Sequence, residues 1–277
     1  MSSIICPHCK AELIQEEKTF RCEQNHCFDL AKEGYLNLLP VNKKKSKSPG
    51  DNDLMIAARR FFLEQGYYNP LVEGIRNTID TELNFKEKTF TALDSGCGEG
   101  FYTQQALKNE HPKSQIFGTD ISKYAVKIAA KKYKDNFFFV SSAYHLPVAT
   151  QSMDLLLSVF SPNDPKEFHR VLKTEGYLII ASPAENHMKQ LAELIYNDFR
   201  PHEHKIAEDL AAQFEVHLGK RIRFDIHLKS AETLQALHKM TPYYYNTSKE
   251  AQEKIANCND ITVTCDFHLT ILKPISK

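Results

Sequence analysis

The chain has no apolar stretch approaching the ~20 residues needed to cross a bilayer. It also lacks an excess of charge, with 35 Lys and Arg against 35 Asp and Glu. Net charge therefore announces no nucleic-acid partner, and such a partner has to be held by a local patch. The opening residues Met1-Ser2-Ser3-Ile4-Ile5-Cys6 carry neither a basic region nor a long apolar core, so no secretory signal is expected. A cytoplasmic protein with reduced thiols is the expectation. No G-x-x-x-x-G-K-S/T occurs, so a P-loop is not expected. The dinucleotide fingerprint G-x-G-x-x-G/A begins at Gly96 and Gly98 but fails at Phe101. Internal repeats and low-complexity segments are missing too.

What is present suffices for a sizeable core: 277 residues, 42% of them hydrophobic, make one large domain or two unequal ones. The chain is organised around residues 90–100. Residues 90–93 read as a buried parallel strand, and Gly96, Gly98 and Gly100 let the backbone turn sharply beside a ligand. A helix from Phe101 onward points its free N-terminal amides at that ligand. A second strand, 116–120, ends in Asp120, 24 positions after Gly96 and close to the roughly 20-residue offset at which an acid binds ribose hydroxyls. Further along, the pattern predicts a helix over 122–133, strands at 136–140 and 153–160, a helix over 167–172, a turn at Thr174-Glu175-Gly176 and a fifth strand at 177–181. Such alternation implies an α/β fold with a doubly wound, mostly parallel sheet, whose ligands bind at the carboxyl ends of the strands. Residues 187–214 read as largely helical, and 222–228 and 261–272 as antiparallel strands. The intervening Thr241-Pro242-Tyr243-Tyr244-Tyr245 reads equally as a packed loop or as a base-stacking surface.

Four of the seven cysteines fall in the first 40 residues. Cys6-Pro7-His8-Cys9 is a C-x2-C knuckle, and Cys22-x3-His26 follows after twelve residues. Two such knuckles can converge on Zn2+, which takes thiolate and imidazole alike. Cys6, Cys9, Cys22 and His26 are the expected ligands, with Cys27 as rival for the fourth place and His8 behind it. A segment this short buries too little apolar surface to fold unaided, so a metal would supply the missing energy. Next come the basic run Lys43-Lys44-Lys45-Ser46-Lys47, a turn at Pro49-Gly50, a helix over 53–65 capped by Asp51 or Asn52, and a second over 71–83.

The stretch L-D-x-G-C-G-E-G resembles motif I of the Rossmann-like S-adenosylmethionine-dependent methyltransferases. Joined to C-P-x-C…C-x3-H, F-D-x-A-K-E-G-Y-x-N-L-L-P-V, P-G-D and Met55…Ala58-Arg59-Arg60-x-Phe62-Leu63…Gly66-x-Tyr68, it resembles the family of 23S rRNA guanine-N1 methyltransferases. The match runs from Cys6 to about Gly176 and more weakly to the end. It implies a zinc-binding RNA-recognition module at 1–42, a basic linker and helical connector at 43–84, and a methyltransferase domain at 85–277. It also implies S-adenosylmethionine and Zn2+ as cofactors, and as substrate a guanine in a 23S rRNA hairpin loop, methylated at N1. For the cofactor, Gly96 and Gly98 would approach the amino-acid tail and Asp120 the ribose. The resemblance adds Tyr68, Tyr102, Thr103 and His187. Ser141-Ser142-Ala143 occupies the loop where the fold often places an acid or amide near adenine. Asp164 and His187 are candidate acceptors for the N1 proton, with water as the third. No membrane partner is expected, and a homodimer is the assembly entertained. Two other readings compete: a small-molecule methyltransferase, and a non-catalytic zinc-ribbon RNA-binding protein. Cys9→Ser is expected to unfold the N-terminal module and lower RNA affinity while leaving cofactor binding largely intact.

Overall fold

A computed structural model describes residues 3–43, 50–196, 199–203 and 205–275. Most of the lysine run, from 44 to 47, and Pro49 lie outside the described residues. Strands β1 (Ile14–Glu16), β2 (Thr19–Arg21) and β3 (Cys27–Asp29) form a small antiparallel sheet near the N-terminus. Strand β4 (Tyr35–Asn37) leaves it to join the large sheet. Helices α1 (Asp53–Glu64) and α2 (Asn69–Asn77) come next. Then follow β5 (Thr91–Ser95), β6 (Gln115–Asp120), α3 (Lys123–Lys132), β7 (Phe137–Val140), β8 (Met153–Val159), α4 (Pro165–Val171) and β9 (Leu172–Pro183). The chain ends with α5 (Lys189–Tyr196), α6 (Ile206–Leu210), β10 (Phe214–Leu228), α7 (Ala231–Lys239), α8 (Lys249–Asn257) and β11 (Ile261–Pro274).

The large sheet has eight strands in the order β10-β11-β9-β8-β5-β6-β7-β4. From β4 to β9 neighbouring strands run parallel, while β11 is antiparallel to both β9 and β10. This is the expected doubly wound fold, and the strand order reverses between β5 and β8. Their carboxyl ends therefore frame the crevice where such sheets bind ligands.

The apolar runs are near-continuous because both faces are covered. Leu155, Leu157, Ile179 and Ala181 face a core shared with α1, α2, α5, α7 and α8. Their neighbours Leu156, Leu178 and Ile180 face the opposite core, built with Phe168 and Val171 of α4 and with Ile4, Leu13, Phe20, Leu36 and Leu38. The metal-knuckle segment is thus a covering layer of the sheet. It is also tied on by backbone: Ile5 N donates to Pro147 O (3.0 Å) and Ala149 N to Ser3 O (2.9 Å). The segment 1–42 and the domain expected at 85–277 share one sheet, since β4 pairs with β7.

Helix starts follow their caps. Asn52 accepts from Met55 N to open α1, Ser122 from Ala125 N to open α3, and Asp164 from Glu167 N to open α4. Several expected boundaries differ: the strand expected over 222–228 begins at Phe214, and the helix expected from Phe101 passes into a wider spiral over Thr103–Lys108. The helix expected over 71–83 is α2 followed by a wider turn, Thr78–Glu82, because Thr78 Oγ1 bonds back to Gly74 O (2.9 Å) and loosens the spiral. The turn expected at Thr174-Glu175-Gly176 lies inside β9. Lys173 there pairs with Asp154 (2.7 Å), and a Cβ on Gly176 would lie 3.1 Å from Asp154 O, so the stretch is held against β8 with a register shift. Among the described residues, the helical run expected over 187–214 consists of α5 and the short α6.

Candidate functional site

At the carboxyl ends of β5, β6, β7, β8 and β9 lies a cavity of about 790 Å3, within the ~300–1,000 Å3 usual for small-molecule sites. Its wall includes Gly96, Gly98, Tyr68, Tyr102, Asp120 and His187. The glycine turn closes because Gly96 N and Cys97 N both donate to Thr119 O (2.8 and 2.9 Å). Asp120 locks the same turn: its carboxylate accepts from Gly98 N (3.0 Å) and Ser122 N (2.7 Å). Gly96 has φ +80°, and a Cβ there would sit 2.3 Å from Ser161 Cβ, so only glycine fits. Thr103 is fully buried behind the turn, where its hydroxyl donates to Asp94 (2.6 Å). It supports the site from behind and is not on the wall. Burial pushes the Asp94 carboxyl up to about 7, against the bond from Thr103 that lowers it.

The charges on the wall decide what fits. Asp51, Glu99 and Asp120 face a single guanidinium, Arg59. Arg59 pairs closely with Asp51 and lies 3.9 Å from Glu99. Burial raises both Glu99 and Asp120, with Arg59 opposing. A cleft with surplus carboxylate suits a cationic ligand, and the sulfonium and ammonium groups of S-adenosylmethionine are such charges. Among the described residues, Glu99 Oε2 and Tyr102 Oη are buried on this wall without a hydrogen-bond partner. Buried polar atoms are rarely left so, and these await a polar ligand. The residues present therefore fit that cofactor.

From sequence, Arg59 and Glu99 have no place in the site and Asp51 reads only as a possible helix cap, although Asp51 and Arg59 stand in the segments P-G-D and Ala58-Arg59-Arg60. Tyr144, Phe160 and His202, which also line the cavity, have no such place either. The serines of the loop after β7 do reach it: Ser141 and Ser142 are on the wall, and Ser141 Oγ shares a hydrogen bond with Thr119 Oγ1 (2.7 Å).

His187 follows β9 and is 6% exposed. Its Nδ1 accepts from Asp266 N (3.3 Å), so the hydrogen of the neutral ring resides on Nε2. Burial first, and His202 second, push its pKa down to about 3 against the pull of Asp266. Asp266 is itself held low by a bidentate pair with Arg221 (2.8 and 2.6 Å). The unfolded imidazole titrates near 6.5, so the unfolded chain binds the extra proton between pH ~6.5 and ~3. The stability that His187 lends is present above about pH 6.5 and is lost as pH falls toward 3. His238, pushed down to about 4 by burial, acts in the same direction. Between pH 6.5 and 4.5, His187→Gln should lose roughly 2 kcal/mol less stability than the wild type in urea unfolding. Equal losses would contradict this account. Asp164, by contrast, caps α4 through Glu167 N (2.9 Å) and is not on the cavity wall.

The second cluster lies in the layer that covers the α4 face of the sheet. The ligand atoms of Cys6, Cys9, Cys22 and His26 all lie within 4.8 Å of one another. Two tight turns bring them together, with Lys10 N donating to Cys6 O (2.9 Å) and Asn25 N to Cys22 O (2.9 Å). Lys10 and Asn25 both take left-handed backbone (φ 67° and 61°). Thiolates about 2.3 Å from a tetrahedral Zn2+ would lie roughly 3.8 Å apart. The observed separations are 3.5 Å for Cys9 Sγ–Cys22 Sγ, 3.4 Å for Cys22 Sγ–His26 Nδ1 and 3.5 Å for Cys6 Sγ–His26 Nδ1. The donor set fits zinc. Cys27 is exposed, donates to Asn25 O (3.2 Å) and is not in the cluster, while His8 stacks on Phe28.

Residues 4–47 match the zinc-ribbon family model described as "RlmA, N-terminal", and residues 86–232 match one described as "Methyltransferase domain". The chain is 30% identical over 276 residues to the 23S rRNA (guanine(748)-N(1))-methyltransferase of Streptomyces fradiae, covering 98% of this chain and 96% of that protein. Demethylmenaquinone methyltransferase of Thermotoga maritima is 31% identical over 129 residues, 44% of this chain and 55% of that protein. Among solved structures, that of MccD protein aligns with TM-score 0.46 and 20% identity, over 73% of this chain and 98% of that one. The small-molecule enzyme thus shares part of the chain, whereas the rRNA enzyme shares its full span.

Proposed function

The chain belongs to the family of 23S rRNA (guanine-N1)-methyltransferases, and from that premise we propose that it methylates N1 of a guanine in a 23S rRNA hairpin loop. The observation that carries the reading is the pairing, in one folded unit, of a carboxylate-rich cavity at the glycine turn with a Cys3His cluster. When bound, S-adenosylmethionine supplies a methyl group on a sulfonium, and methylating N1 also requires that the N1 proton leave. The chain's part is to hold donor and base aligned, which supplies much of the rate in such displacements. Gly96 and Gly98 let the backbone approach the cofactor's amino-acid tail, and Glu99 offers a carboxylate to its ammonium. Asp120, with Tyr68 and Tyr102, takes the ribose side. His187 is an uncharged donor at Nε2, and Asp164 is committed to its helix, so we assign the N1 proton to water. The guanine must be unpaired or extruded, because N1 lies on the pairing edge. Residues 1–42 would recognise the RNA, with Cys6, Cys9, Cys22 and His26 holding Zn2+.

The cytoplasm, where ribosomal RNA is made in bacteria, is the proposed compartment, and among the described residues no helix is long and apolar enough to cross a membrane. A homodimer is the proposed assembly, open to sedimentation analysis. The deciding experiment is mass spectrometry of 23S rRNA from a deletion strain. Loss of a single 1-methylguanosine is expected, and an unchanged modification map would overturn the reading.

A further inference from the structure

Phe160 directly follows β8 at the point where the strand order reverses. It is a bulky residue on left-handed backbone, φ 53°, a conformation that side chains of its kind avoid and that persists only when neighbours enforce it. The neighbours here do so. Phe160 N donates to Ala181 O (3.1 Å), and the next residue, Ser161, bonds to Ser95 O (2.6 Å) and Ser158 Oγ (2.9 Å). Asn163 is tied to Ser158 as well (2.8 Å). The strain does not serve core packing, since Phe160 remains 44% exposed on the cavity wall. One side of the ring is supported by Phe267, 5.3 Å away between centroids, and it lies nearly parallel to His187 (18°, 6.4 Å). A backed aromatic ring held open toward a cavity is the arrangement on which nucleobases stack. Ser161, the next residue, packs against the glycine turn at Gly96 and Ser95, so the ring stands beside the place where the methyl donor would be held.

We propose that Phe160 is the stacking platform for the extruded guanine and fixes its plane relative to the methyl donor. This rests on the guanine-methylating reading above and names the residue that would hold the base. Stacking of a base on an aromatic side chain is worth about ten- to a hundredfold in binding.

The test compares Phe160→Leu, Phe160→Tyr and Phe160→Gly with the wild type. It uses tritiated S-adenosylmethionine, unmodified 23S rRNA and calorimetric titration with S-adenosylhomocysteine. Phe160→Leu should lower kcat/KM for the RNA by about ten- to a hundredfold, while cofactor affinity stays within about twofold. Phe160→Tyr, which keeps the ring, should retain at least about half of wild-type activity. Phe160→Gly relieves the backbone, so its thermal midpoint should not fall below that of Phe160→Leu although its methylation is as poor. An active wild type beside an equally active Phe160→Leu overturns the inference, as does a Phe160→Tyr no better than Phe160→Leu. A wild type that transfers no methyl group to this RNA removes the guanine reading and the inference together.

Discussion

Cys22→Ser should yield a protein without stoichiometric metal whose thermal midpoint lies at least ~10 °C below that of the wild type. Structural Zn2+ contributes on the order of 10 kcal/mol to the folding of isolated zinc modules. In this chain that energy is not confined to the knuckles. Cys6 and Cys22 belong to the same buried cluster as Phe20, Leu36, Phe117, Phe139 and Leu156, so losing the metal uncovers one face of the large sheet. The sequence alone suggested that a Cys9→Ser change would spare the cofactor half of the molecule. The shared core argues that both halves are weakened, with cofactor affinity falling because less of the protein is folded. Calorimetric unfolding together with metal analysis by emission spectroscopy checks this. A variant free of zinc but with an unshifted transition would show that the ribbon contributes nothing to the sheet.

Gly96→Ala should reduce cofactor affinity by about a hundredfold or more, a loss near 3 kcal/mol. The added methyl would stand 2.3 Å from Ser161 Cβ, and the backbone there has φ +80°. Ser161 cannot simply swing aside, because its hydroxyl bonds to Ser95 O and to Ser158 Oγ (2.6 and 2.9 Å). The turn must therefore shift, carrying with it the Gly98 amide that Asp120 holds. Titration with S-adenosylhomocysteine measures the loss. Adding Ser161→Gly should recover part of it, since the collision goes and only the dihedral strain remains. Wild-type binding by Gly96→Ala would mean that the cofactor sits elsewhere.

The metal set and the glycine turn were legible in the sequence because their geometry is local. Cys6, Cys9, Cys22 and His26 lie on two short knuckles with a fixed span between them, and Gly96, Gly98 and Asp120 sit at strand ends whose apolar runs announce them. The network of Asp51, Arg59 and Glu99 was not legible. Its members come from a turn, a helix and a loop up to 48 positions apart, and only folding makes them neighbours. Thr103 and Asp164 carry suitable chemistry near the motifs, and in the structure one buttresses Asp94 while the other caps a helix. Phe160 looked like the last residue of an apolar strand, and nothing in its identity signals a left-handed backbone.

The edge strand β4 has a consequence for the birth of the protein. Leu36 pairs with Phe139, 103 positions later, so the edge closes only after both halves of that separation have been synthesised. The metal knuckles need no such wait, because all their ligands emerge within the first 26 residues. A nascent chain can thus carry a finished zinc knob while residues 35–39 still lack their strand partner. Docking of that stretch is a high-contact-order event, and the slow phase of refolding should report it.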